Sequence, residues 1–117
     1  STSPYAYSVY NPTTNTFEEK NVSITEQEYS ETSGKGNGFV QFQRLSQRIM
    51  FGEYSLDFID ELPNILFISK DEERIGSLAG LVEYNPRNDY CVSGDYLYWA
   101  SDCFVKRVNI KDLIENL

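Results

Sequence analysis

The stretch from Leu81 to Ile110 constrains the fold more than any other, because short aromatic-rich segments alternate there with turn-forming residues. Tyr84, Tyr90, Tyr96, Tyr98, Trp99 and Phe104 are separated by Asn85-Pro86-Arg87-Asn88, Ser93-Gly94-Asp95 and Ala100-Ser101-Asp102. Proline presets φ, glycine tolerates positive φ, and Asn or Asp can bond its own backbone, so such clusters punctuate strands. The pattern predicts a β-meander.

Successive side chains of a strand point to opposite faces, which sorts this meander into a core side and a wet side. Leu97 and Trp99 are assigned to the core. Tyr96 and Tyr98 share the other face, where an aromatic ring with a polar tip sits well at a water boundary and can serve as a contact surface. On the next segment Phe104, Val108 and Ile110 fall on one side, interrupted by Lys106, whose stem can lie along apolar surface.

The remaining chain adds strands and two short helices. Residues 5 to 10, a turn over 11–15 and a return from Phe17 to Ile24 predict an N-terminal hairpin. Thr25-Glu26-Gln27-Glu28 has the capping-box pattern, so a short helix is expected from about Glu26 to Thr32. Gly34, Gly36 and Gly38 mark a flexible loop whose single lysine lacks the spacing of a phosphate-binding loop. Phe39 to Met50 fits a helical face or a strand, with strand favoured. Tyr54, Leu56 and Phe58 alternate with Glu53, Ser55 and Asp57, predicting a strand with one apolar and one acidic face. Ile65-Leu66-Phe67-Ile68 reads as a buried strand, Asp71-Glu72-Glu73 as an exposed loop, and Ile75 to Tyr84 as a strand with bulges at Gly76 and Gly80. Ile110, Leu113, Ile114 and Leu117 form the apolar stripe of a C-terminal helix.

The fold class expected is therefore α+β, a single domain over 1–117 dominated by an antiparallel sheet. It comprises an N-terminal hairpin and helix over 1–33, a loop over 34–38, and a main sheet with the C-terminal helix over 39–117. At 117 residues the chain can bury roughly 65% of its unfolded surface, enough for one modest core without staples. Cys91 and Cys103 are not cross-strand partners in the meander, so they read as reduced, buried, inert thiols of a cytoplasmic protein, with a disulfide as the alternative. No apolar run approaches the roughly 18 residues of a membrane span.

Chemistry is constrained mainly by what is missing. With no histidine, the chain lacks the commonest general base, the Ser-His and Cys-His nucleophile pairs and the commonest transition-metal ligand. Glu53 and Asp57 would be about 13 Å apart along a strand at roughly 3.3 Å per residue. Paired glycosidase carboxylates need about 5 to 9.5 Å. Asp71-Glu72-Glu73 lacks the alternating ligands and central glycine of a calcium loop. No catalytic residue, cofactor or metal is assigned, and the chain is expected not to be an enzyme.

Ten Lys and Arg against eighteen Asp and Glu give a net charge of −8, spread over every segment. That sign argues against direct binding of nucleic acid or anionic membrane and favours a basic protein partner. The function expected is a small acidic protein-binding module. Its specific form is an inhibitor, either a bacterial toxin-immunity protein or a phage- or virus-encoded antagonist that occludes a basic, nuclease-like partner. Glu53, Asp57, Asp60, Glu61, Asp71, Glu72 and Glu73 would steer the encounter, and Tyr96 and Tyr98 would anchor it. The alternative is a structural or assembly subunit of a larger complex or virion.

Overall fold

The computed structural model describes residues 6–21 and 45–117. These form nine strands and one short helix: β1 (Ala6–Asn11), β2 (Thr16–Asn21), β3 (Leu45–Phe51), β4 (Tyr54–Ile59), β5 (Leu62–Lys70), β6 (Glu73–Ala79), β7 (Tyr90–Ser93), β8 (Tyr96–Ser101), β9 (Phe104–Asn109) and α1 (Ile110–Glu115). The chain is mostly antiparallel sheet, as its patterning requires. The helix expected at 26–32, the loop at 34–38 and the first part of Phe39–Met50 lie outside the described residues. The chain divides into two compact units, Ser1–Ser23 with Pro86–Leu117 in one and Ile24–Asn85 in the other.

The first unit holds a five-stranded sheet in the order β2-β1-β9-β8-β7. Its meander, β7 to β9, follows the predicted turns. Gly94 opens the two-residue link from Ser93 to Tyr96 at φ 59°, the positive φ that a hairpin of this length needs at that position. The N-terminal hairpin joins the same sheet, because Ser8 and Val9 pair with Arg107 and Lys106. Its turn is built from Asn and Pro chemistry. Asn11 Oδ1 accepts from the Thr13 amide at 2.9 Å, the Asn15 amide donates to the Asn11 carbonyl at 2.8 Å, and Asn15 takes the left-handed φ of 58° that Asn tolerates. Leu97, Trp99 and Val108 are buried, as their parity predicts, while Tyr96 and Tyr98 are half-buried. Burying a large apolar side chain stabilises by about 1.5–3 kcal/mol. α1 starts at Ile110, where Asn109 caps it by accepting from the Asp112 amide at 3.0 Å, and buries Ile110 and Leu113.

The second unit holds the four-stranded meander β3-β4-β5-β6. Phe39–Met50 resolves in favour of strand where it is described, since β3 pairs with β4 from Leu45 to Phe51. Leu56, Phe58, Leu66, Ile68 and Leu78 are fully buried on one face of the sheet. The opposite face carries its own apolar cluster, Ile59, Ile65, Phe67 and Ala79 with Leu62 against it. This corrects the expectation of an exposed acidic face on β4: Ser55 and Asp57 are buried as well, at 8% and 1% exposure. Period-two alternation assigns residues to faces but does not say that both faces are covered.

Bulges account for the other departures. Pro63 and Asn64 sit where β4 and β5 lose register, and their carbonyls accept from the Tyr84 amide at 2.7 Å and the Gly80 amide at 2.9 Å. Proline lacks a ladder donor and belongs at such a break. Near Gly76 the β5–β6 register also shifts, and β6 ends at Ala79 before Gly80, whose φ is 85°. The segment from Leu81 to Asn85 is therefore not strand, although Leu81 and Val82 are buried and Tyr84 stacks on Phe58 at 4.8 Å.

Candidate functional site

Two-residue links on either side of β8 fix the register of its neighbours, and with it the composition of each face. Tyr98 lies opposite Arg107 and Cys91, while Tyr96 lies opposite Asn109 and Ser93. Ser8 of β1 pairs with Arg107, and Tyr10 pairs with Phe17 across the hairpin. Parity thus gathers Tyr10, Phe17, Tyr96, Tyr98 and Arg107 on the wet face of one sheet, each half-buried.

Arg107 organises this face. Its guanidinium carbon lies 3.9 Å from the centre of the Phe17 ring and 4.0 Å from that of Tyr96. Nη1 donates to the Tyr98 hydroxyl at 3.4 Å. Ser8 lies between Glu19 of β2 and Arg107 of β9 on this face. The rings continue the array: Tyr10 to Phe17 at 5.4 Å, Phe17 to Tyr98 at 6.3 Å, and Tyr96 to Tyr98 at 6.0 Å. Tyr10 is held by its hydroxyl, which donates to Asn15 Oδ1 at 2.5 Å. Arg107 Nε is buried and makes no hydrogen bond among the described residues. The result is a pre-positioned aromatic surface with a cation clamped inside it, each stacked contact contributing about 0.5–1 kcal/mol where exposed.

The acidic candidates lie in the other unit and separate into three environments. Glu53 lies in the β3–β4 turn, Asp71 and Glu72 form the β5–β6 turn and Glu73 opens β6, all of which the antiparallel meander places at the same end of the sheet. All four are exposed, and Glu53 is 3.8 Å from Lys70. Asp60 and Glu61 form the β4–β5 turn at the opposite end, where Ser46 Oγ donates to Asp60. Asp57 belongs to neither group. Its carboxylate is buried and accepts from Arg48 Nε at 2.9 Å and Nη2 at 3.2 Å, with Ser55 Oγ at 3.4 Å. Those bonds to Asp57 raise the pKa of Arg48, whereas burial lowers that of Arg74, partly offset by the same carboxylate. Asp57 is a structural charge, not an accessible one, which corrects its assignment as a contact residue.

Tyr96 and Tyr98 were legible as wet-face residues, but Arg107, Phe17 and Tyr10 were not singled out. Arg107 was within reach of the sequence, since the Ala100-Ser101-Asp102 turn sets its parity with Tyr98. Phe17 was not, because its place beside Arg107 depends on the long-range pairing of Ser8 with Arg107 and Val9 with Lys106. The thiols also depart from expectation: Cys91 and Cys103 are free, as expected, but exposed. Among the described residues no group of His, Cys, Asp and Glu side chains is placed to hold a metal ion, and no helix is long and apolar enough to cross a membrane. No protein-family model, curated protein or solved structure matches the chain.

Proposed function

We propose that this chain is a protein-binding module that acts by occupying a partner's surface, with the Tyr10, Phe17, Tyr96, Tyr98 and Arg107 face as its anchor. The observation that carries the reading is the clamping of Arg107 between Phe17 and Tyr96. Tyr, Trp and Arg dominate binding hot spots because they bury large rigid surface at small entropic cost, and here the rotamers are held before any partner arrives. The net charge of −8 and the exposed turn cluster of Glu53, Asp71, Glu72 and Glu73 favour a basic partner and a fast, salt-sensitive encounter. In its specific form the module is an inhibitor of a nuclease-like enzyme, as an immunity protein of a bacterial toxin or a phage- or virus-encoded antagonist would be.

The test is capture from lysate of the source organism at low and high salt, run in parallel with Y96A, R107A and a Glu53→Lys, Glu72→Lys double variant. A single basic protein retained in equal amount, lost with Y96A and R107A, and captured more slowly by the charge-reversed variant supports the reading. Equal retention by all variants overturns it.

A second reading, an assembly subunit, is favoured by apolar side chains on both edge strands of the four-stranded sheet: Leu45 and Met50 on β3 are 49% and 58% exposed, and Ile75 on β6 is 42% exposed. Such edges pair with other strands. The mass of the purified chain separates the two, since only the assembly subunit forms large oligomers alone.

A further inference from the structure

The face of the five-stranded sheet opposite the aromatic anchor carries a cavity of about 630 Å³, floored by β1, β2 and β9. The register explains its lining. Tyr7 pairs with Lys20, and Val9 pairs with Glu18 on one side and Lys106 on the other. These five side chains, with Phe104, therefore share one surface. The volume falls within the roughly 300–1,000 Å³ of small-molecule sites.

Lys106 is the unusual member. Its side chain is only 17% exposed, yet its ammonium lies 3.9 Å from the Asp102 carboxylate and 5.6 Å from the centre of the Tyr7 ring. Neither contact is a hydrogen bond, and the ammonium has no other partner among the described residues. Its three N–H donors make no hydrogen bond among the described residues, which leaves them to an incoming oxyanion. Lys20, opposite Tyr7, adds a second cation on the same wall. Apolar area lies alongside. Phe104 is 50% exposed, and the Tyr7 ring is held at a tilt against Trp99 at 6.3 Å.

The two carboxylates of the cavity narrow the choice. Glu18 is engaged by Asn11 Nδ2 at 2.9 Å, and Asp102 is 84% exposed at the mouth, so neither occupies the Lys106 donors at hydrogen-bonding distance. Their charge disfavours a polyphosphate and leaves room for one oxyanion.

We propose that this cavity binds a small aromatic oxyanion, a planar ring bearing one carboxylate or phosphate group, with the oxyanion on Lys106 and Lys20 and the ring on Tyr7 and Phe104. Tyr10 borders both this cavity and the protein-binding face, so the two meet at that residue, while Lys106, Lys20, Tyr7 and Phe104 belong to the cavity alone.

Amide and lysine-ammonium NMR of the full chain, titrated with phenyl phosphate and benzoate, tests it, with benzyl alcohol and inorganic phosphate as single-feature controls. Saturable shifts at Lys106, Lys20 and Phe104 are expected with at least one aromatic anion. The uncharged alcohol and the free phosphate should each bind about tenfold more weakly, and K106M should lose about tenfold while K111M loses nothing. D102N, which frees Lys106 from its competing carboxylate, should tighten binding about threefold and covers the case in which K106M fails to fold. No saturable shift up to about 10 mM of either aromatic anion, equal binding of benzyl alcohol, or weaker binding by D102N would overturn the proposal.

Discussion

The guanidinium carbon of Arg107 sits 4.0 Å from the centre of the Tyr96 ring and 3.9 Å from that of Phe17. An ammonium is a compact point charge that lacks a guanidinium's planar face, so Arg107→Lys is not a conservative change beside two rings. A double-mutant cycle between Phe17→Leu and Arg107→Met is expected to give a coupling of about 0.5–1 kcal/mol in urea unfolding. Additive effects would mean that the clamp does not hold the arginine.

The Arg48–Asp57 pair is unequal, since the Asp57 side chain is 1% exposed and that of Arg48 is 48% exposed. Removing the arginine strands a buried carboxylate; removing the carboxylate leaves Arg48 within reach of water, though Arg74 loses the charge that partly offsets its burial. Arg48→Met is therefore expected to destabilise by about 2–3 kcal/mol, and Asp57→Asn by clearly less. Because Asp57 raises the pKa of Arg48, the stabilisation is fully present below the unfolded guanidinium pKa and is lost only as pH climbs through the raised folded value. The gap between the two variants should thus stay flat from neutral to moderately alkaline pH, as urea midpoints across that range would report.

Two tight turns place non-glycine residues in the left-handed region. Asp71 and Glu72 have φ of 54° and 62°, and Asp102 and Cys103 have 54° and 68°. Positive φ at both central residues is the type I′ requirement, which an Asp-Gly pair meets best. Glu72→Gly and Cys103→Gly should each stabilise by about 0.5–1 kcal/mol. The converse isolates the backbone contribution, because a Cβ at Gly52 or Gly94 would meet nothing within 4 Å, yet both hold φ of 59°. Gly52→Ala and Gly94→Ala should cost about 1 kcal/mol each from conformation alone. Shifts in thermal midpoint of the four variants, opposite in sign for the two pairs, check this.

Asn109 ends β9 and caps α1, so one side chain sets where strand becomes helix. Asn109→Ala should cost about 1 kcal/mol and Asn109→Asp very little, since aspartate offers the same acceptor. Hydrogen exchange of the Asp112 amide, which donates to Asn109 Oδ1 at 3.0 Å, should accelerate in the alanine variant and stay protected in the aspartate one.

Local chemistry along the chain determined the turns, the parity of Leu97 and Trp99 against Tyr96 and Tyr98, the buried run from Ile65 to Ile68 and the C-terminal helix. Each of these depends on residues a few positions apart, where φ preference and two-residue periodicity act directly. Only the tertiary structure decided that β1 pairs with β9, that Asp57 is buried rather than presented, and that Phe17 and Tyr96 close on Arg107. Alternation says which side a residue faces, but whether that side meets water, and which distant strand lies next to it, follows from long-range pairing whose register no local window contains.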